Sequence, residues 1–135
     1  MKTSKLVILS ILFMFLTASA IFAADDGNTK PRISAGSATY YSGAQDIIST
    51  TSGSGNVKGV SCNIYSVSSV SVIFTVNGAA TQTIDVAPCA VPDASGYNHT
   101  GWIPMNIRFT SSIRVQVNAS GGNGQADCYV SWALD

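Results

Sequence analysis

Between positions 60 and 134 the apolar residues recur at every second position, and no stretch keeps a 3.6-residue apolar period. Val60, Cys62 and Ile64 alternate with Ser61, Asn63 and Tyr65. Val70, Val72, Phe74 and Val76 share one parity, as do Ile84 and Val86. Further on the same holds for Ile103, Met105, Ile107 and Phe109, for Ile113, Val115 and Val117, and for Ala126, Cys128, Val130, Trp132 and Leu134. Side chains leave a strand on alternate sides, so each run reads as a strand with one buried face and one wet face. Residues 33–41 and 45–50 are weaker strand candidates, followed by a glycine-serine turn at 51–56. The expectation is an all-β chain: one antiparallel β-sandwich of seven to eight strands, jelly-roll or Greek-key-like.

Two hairpins can be placed by register. Asn77-Gly78 is a strong hairpin dipeptide. A two-residue turn there would set Val72 opposite Thr83 and split the apolar faces. A three-residue loop at 77–79 pairs Val72 with Ile84 and Val70 with Val86, which aligns them. The same reasoning gives a turn at 110–112 that pairs Phe109 with Ile113 and Ile107 with Val115. Residues 68–76 carry neither charge nor proline, and such a strand at a sheet edge invites another chain.

Ahead of the strands, Lys2 and Lys5 precede an unbroken apolar run at 6–16 and then small residues, the order of a secretory signal peptide. The run is about half the roughly 20 residues that a membrane-spanning helix needs. Cleavage after Ala20, Ala23 or Ala24 leaves about 111 to 115 residues, enough for one domain with its own core. The division is 1–23 signal peptide, 24–32 polar leader and 33–135 β domain. Without Lys2 and Lys5 five basic side chains face seven aspartates, with no glutamate. That surface offers no basic footprint for nucleic acid and no polybasic patch for lipid. The chain is expected to be secreted, periplasmic or extracellular, with no stable membrane insertion after cleavage.

Secretion favours disulfides, and three cysteines leave one over. Cys62 and Cys128 share the inward parity of core strands and are the expected pair. Cys89 falls in the loop after a strand and stays unpaired or bridges two chains. The spacings do not fit a zinc site, and no cofactor or metal is expected.

The one histidine, His99, lies in PDASGYNHTGW (92–102) with Asp93 and Ser95, the residue types of an acyl-transfer site. In a triad those groups come from separate elements that hold each other rigidly, and no G-x-S-x-G elbow is present. The loop reads as an inter-sheet crossover or a recognition loop, and the chain as a non-enzyme. Among Asp46, Asp85, Asp93 and Asp127 no spacing selects a glycosidase pair. GGNGQAD (121–127) is similar to a calcium-binding nonapeptide, but occurs once with its aspartate one place late, and reads as a glycine-rich turn. Asn98-His99-Thr100 and Asn118-Ala119-Ser120 match the N-glycosylation sequon and fall in expected loops or strand ends. Tyr65, Trp102 and Tyr129 have outward parity, and Tyr97 joins them from the loop. Aromatic faces of this kind stack on sugar rings or anchor a protein interface.

Residues 46–135 resemble small β-sandwich modules of phage tail-fibre and other virion-appendage proteins. The segments that carry the resemblance are DIISTTSGSGNVKGVS, VSVIFTVNGAATQTI, WIPMNIRFTSSIRVQVN and CYVSWALD. In such modules a glycine-serine turn leads into a strand and an N-G hairpin. A P-x-x-I-x-F strand and an alternating valine strand follow. The resemblance implies a surface-displayed module built for binding or assembly, and transfers no individual residue's role.

These readings converge on a secreted, non-enzymatic β-sandwich that binds a surface ligand or builds an extracellular assembly. Tyr97, His99 and Trp102 are its first candidate ligand-binding residues, with Tyr65 and Tyr129 behind them. The partners expected are a cell-surface ligand, a glycan or further copies of the chain, with a homo-oligomer in view. The alternatives are a free-standing carbohydrate-binding module and, behind it, a small secreted hydrolase.

Overall fold

The computed structural model describes residues 31–92 and 97–135; the expected signal peptide, most of the leader, Asp93 and Ser95 lie outside them. Eight strands form one antiparallel sheet: β1 (Arg32–Thr39), β2 (Gln45–Ser52), β3 (Gly55–Val76), β4 (Ala79–Asp85), β5 (Val91–Pro92), β6 (Asn98–His99), β7 (Ile103–Phe109) and β8 (Ser112–Leu134). A 3-10 turn, Ala87–Cys89, follows β4. The all-β antiparallel class expected from the alternation is the class observed.

The framework is a ribbon of two very long strands. The separate strands expected at 57–65 and 68–76 are one 22-residue strand, β3, and those expected at 113–117 and 126–134 belong to the 23-residue β8. They pair along their whole length, from Gly55 opposite Leu134 to Val76 opposite Ile113. Straight, each would run about 70 Å, whereas a domain of this size has a radius of gyration of about 13 Å, so the ribbon must bend. The bend lies at its middle. The register shifts between Tyr65 and Val67, Ser66 has φ of 50°, and Gly121, beside Ser68 just past the shift, has φ of 72°. GGNG (121–124) therefore lies at the corner, where β8 carries one residue more than the facing stretch of β3.

The bend divides the sheet into two halves. In the first, β1 and β6 with β7 flank the N-terminal part of β3 and the C-terminal part of β8. In the second, β2 and β4 flank the remaining parts. Val57, Val60, Cys62, Ile64, Cys128 and Val130 of the first half share one core with Val70, Val72, Phe74, Ile113, Val115 and Val117 of the second. The apolar side chains of both halves are buried together in this one cluster. Each fully buried Val, Ile or Phe there contributes about 1.5–3 kcal/mol. The halves approach closely where β1 meets β2: a Cβ on Gly36 would lie 2.8 Å from the Asp46 carbonyl oxygen. Trp132 is in the core as its parity predicts, and its Nε1 donates to Ser34 Oγ at 3.0 Å.

Pairing departs from the expectation at two places. Val72 does face Ile84, but through a different turn. Asn77 and Gly78 form a two-residue turn, both with positive φ, and Val76 pairs with Ala79. The register then slips between Phe74 and Thr75, which leaves Thr81 as an extra residue on β4 and restores the match of apolar faces. The second expected hairpin does not form. β7 pairs with the N-terminal part of β3, Phe109 opposite Gly55 and Ile107 opposite Val57, while 113–117 lies between β2 and the far end of β3. Thr110 and Ser111 cross from one half to the other. The charge-free 68–76 is covered within the sheet, by β8 along one side and by β4 along 71–76 on the other.

Asn77 holds the crossing in place. Its Oδ1 accepts the backbone N–H groups of Thr110 and Ser111, each at 2.9 Å. Asn77→Ala removes both bonds and puts a residue with a poorer left-handed preference at φ of 54°, so it should cost about 2 kcal/mol. The urea unfolding midpoint measures this.

Candidate functional site

Cys62 and Cys128 lie directly opposite one another on β3 and β8, with Cα atoms 4.1 Å apart, and are joined by a disulfide. The expected pair is therefore the bonded one, and it links neighbouring strands. Cys89, in the 3-10 turn after β4, is exposed and free.

With Cys62 opposite Cys128, strand geometry puts the next residues on the outer face of the same half. Asn63 faces Asp127, and Tyr65 faces Gln125. Towards the sheet edges the same rows continue to Ser37 and Thr39 on β1, and to His99 on β6. A polar row thus runs Ser37, Asp127, Asn63, His99 across four strands. Ser37 donates its hydroxyl to Asp127 Oδ1, and Gln125 Nε2 donates to Asp127 Oδ2 at 3.3 Å. His99 Nδ1 lies 2.7 Å from Asn63 Oδ1, which can only accept, so Nδ1 carries the proton.

Aromatic rings bracket this row. On one side Tyr97 packs on Tyr65, their ring centroids 5.1 Å apart and their planes at 40°. On the other side stands Tyr129, opposite Ser61. Beyond it the Trp102 indole lies against Gly59, where any Cβ would collide with the ring. Gly59 is thus an outward position left bare so that the indole can rest on the strand. Tyr65, Trp102 and Tyr129 remain 47%, 52% and 40% exposed. From Gly59 to Tyr65 the platform is about 20 Å long at ~3.3 Å per residue. At the Trp102 end, a hollow of about 320 Å³ is lined by Asn56, Lys58, Arg108 and Asp135 among others, and Arg108 pairs there with Asp135.

All five ligand-binding candidates from the sequence therefore share this one outer face. What sequence reasoning missed is the polar row between the rings. Asn63 and Asp127 have the same outward parity as Tyr65 and Tyr129, and aligning the strands at the two cysteines would have placed them opposite one another. Val91 pairs with His99 and Pro92 with Asn98, so β5 and β6 are neighbours in one sheet rather than the two ends of an inter-sheet crossover; Asp93 and Ser95 lie outside the described residues. The first sequon lies at a strand end, Asn98 opening the two-residue β6 opposite Ile64, whereas Asn118 lies inside β8 opposite Ser71. Of the other carboxylates, Asp46 pairs with Arg114 at 2.9 Å and Asp85 accepts the Ala87 N–H at 3.1 Å. Among the described residues no group of three or more His, Cys, Asp or Glu could hold a metal ion, and no helix is long and apolar enough to cross a membrane. Compared with protein-family models and with curated proteins, the sequence matches none.

Proposed function

We propose that this chain is a secreted, non-enzymatic binding module that engages an extracellular surface ligand through the outer face of its first half-sheet. The observation that carries this reading is the convergence of Tyr65, Tyr97, His99, Trp102 and Tyr129 around one polar row. Three of those rings stay exposed side by side on that face. The cross-strand disulfide and the signal-peptide pattern support an oxidising, extracytoplasmic setting. The likeness to virion-appendage modules supports display on an assembly. Hydrogen bonding on the face favours binding over catalysis. A serine nucleophile needs its hydroxyl proton drawn towards an imidazole, whereas Ser37 gives its proton to Asp127.

A carbohydrate is the ligand class that the geometry favours. Apolar ring faces at both ends suit the C–H faces of sugars, and the Asn63, Asp127 and His99 row between them suits their hydroxyls. A platform about 20 Å long fits a run of sugar units rather than one. The test is a glycan array followed by affinity chromatography on the best glycan. Trp102→Ala and Tyr97→Ala should each lower retention at least about tenfold, the loss of one stacking contact of ~1.4 kcal/mol or more, with the thermal midpoint unchanged within about 2 °C. Retention equal to that of the parent protein in both variants would remove this face from the function.

A further inference from the structure

Strand alternation shows which main-chain groups of β1 are left over. The 4.1 Å Cα spacing of Cys62 and Cys128 is that of a pair that does not exchange hydrogen bonds. In agreement, the N–H and C=O of Cys62 turn away from β8 to Thr100. The main-chain groups of Cys128 therefore face β1, where Gly36 is its partner. So Arg32, Ser34, Gly36 and Ala38 bond β8, and the Tyr40 N–H continues the series to the Gly124 carbonyl. Ile33, Ala35, Ser37 and Thr39 point theirs outward, at the sheet edge. Thr39 is already engaged, its N–H on Ser42 Oγ at 2.9 Å and its carbonyl on the Ser42 N–H at 3.1 Å. At the other end Pro31 has no N–H to give. Ile33, Ala35 and Ser37 remain, and among the described residues nothing pairs with their edge-facing groups.

The other edges are blunted. β2 carries two register shifts, β4 carries the Thr81 bulge and ends in Asp85, and β7 contains Pro104 and Arg108. β1 alone runs eight residues in unbroken register, with Arg32 as its only charge and Ile33 77% exposed.

We infer that the free edge of β1 is a self-association site, pairing antiparallel with β1 of a second copy about a two-fold axis at Ala35. The unpaired set is symmetric about Ala35, which is what selects a second copy as the occupant. Ile33 meets Ser37 of the other chain, Ala35 meets Ala35, and Ser37 meets Ile33. All three left-over residues are satisfied in both chains and none is stranded. Small side chains sit at the axis, and each Arg32 falls opposite an Ala38, so no like charges meet. The pairing joins the two first half-sheets into one. It carries the two outer faces into a continuous surface, with the Tyr129 positions of the two chains about 14 Å apart at ~4.8 Å per strand. It does not depend on what that face binds.

The test is sedimentation velocity over about 5 μM to 1 mM, without ligand and in a Cys89→Ser background so that no bridge through the exposed thiol can make the pair. The parent should show a concentration-dependent dimer. Ala35 is exposed on the outer face, so Ala35→Lys and Ala35→Glu leave the fold intact, which circular dichroism checks. Each should weaken dimerisation at least about tenfold by setting like charges opposite one another, and an equimolar mixture of the two should restore it. A parent that stays monomeric throughout overturns the inference, as does a dimer that both variants keep or a mixture that stays monomeric.

Discussion

Removing the disulfide, as the Cys62→Ala/Cys128→Ala double variant, should lower the unfolding free energy by about 4 kcal/mol. The bridged residues are 66 apart in sequence, so the bond closes a long loop in the unfolded chain and strips entropy from it. In the folded protein the two positions are already opposed on paired strands and almost wholly buried, and two alanines fit the same strand geometry. The whole stability of a domain this size is about 5–15 kcal/mol, so the loss is a large share of it. A thermal midpoint lower by on the order of 20 °C is expected. Urea unfolding followed by tryptophan fluorescence checks the figure. A loss below about 1 kcal/mol would mean that pairing of β3 with β8 persists in the unfolded chain and leaves the bridge little entropy to remove.

The corner of the ribbon should be the next most sensitive place. Gly124→Ala puts a Cβ onto the carbonyl oxygen of Tyr65, and both sides of that collision are backbone. No rotamer change relieves it, so the ribbon must open, at a cost of about 3 kcal/mol. Tyr65 carries the ring that packs on Tyr97, so the same change should loosen that end of the aromatic face. Gly43→Ala is the informative contrast. Gly43 has φ of 66° with nothing within 4 Å of a Cβ, so only the left-handed preference is lost, about 1 kcal/mol. Urea midpoints for the two variants, with near-ultraviolet circular dichroism for the tyrosine packing, separate steric from conformational cost. Equal midpoints would show that the corner gives way more easily than backbone contact allows.

Much of the candidate face was legible before any coordinates. The odd parity of Tyr65 and Tyr129 against the even parity of Cys62 and Cys128 puts the rings on the wet side, and there they are. Tyr97, His99 and Trp102 reach the same face because the short pairing of β5 with β6 folds their loop back along β3. The polar row of Ser37, Asp127, Asn63 and His99 was not legible, because it is assembled from four strands that are distant in sequence. Only the register at the disulfide brings them level.

Alternation repeats every two residues whichever strand lies alongside. The sequence by itself therefore determined which side of each run is buried, that the chain is all-β, and that Val72 must face Ile84. It could not decide between partners with equally good faces. Phe109 and Ile113 would have matched across a hairpin, yet β7 lies against the start of β3 and 113–117 against its end. That choice belongs to the tertiary structure. Joining 55–76 and 112–134 into two full-length strands satisfies one continuous ladder, and the register break around Ser66 lets the apolar faces of both halves share one core. The same bend encloses the charge-free 68–76 segment and leaves β1 as the open edge, because burial is shared by the whole sheet while parity is a property of each strand alone.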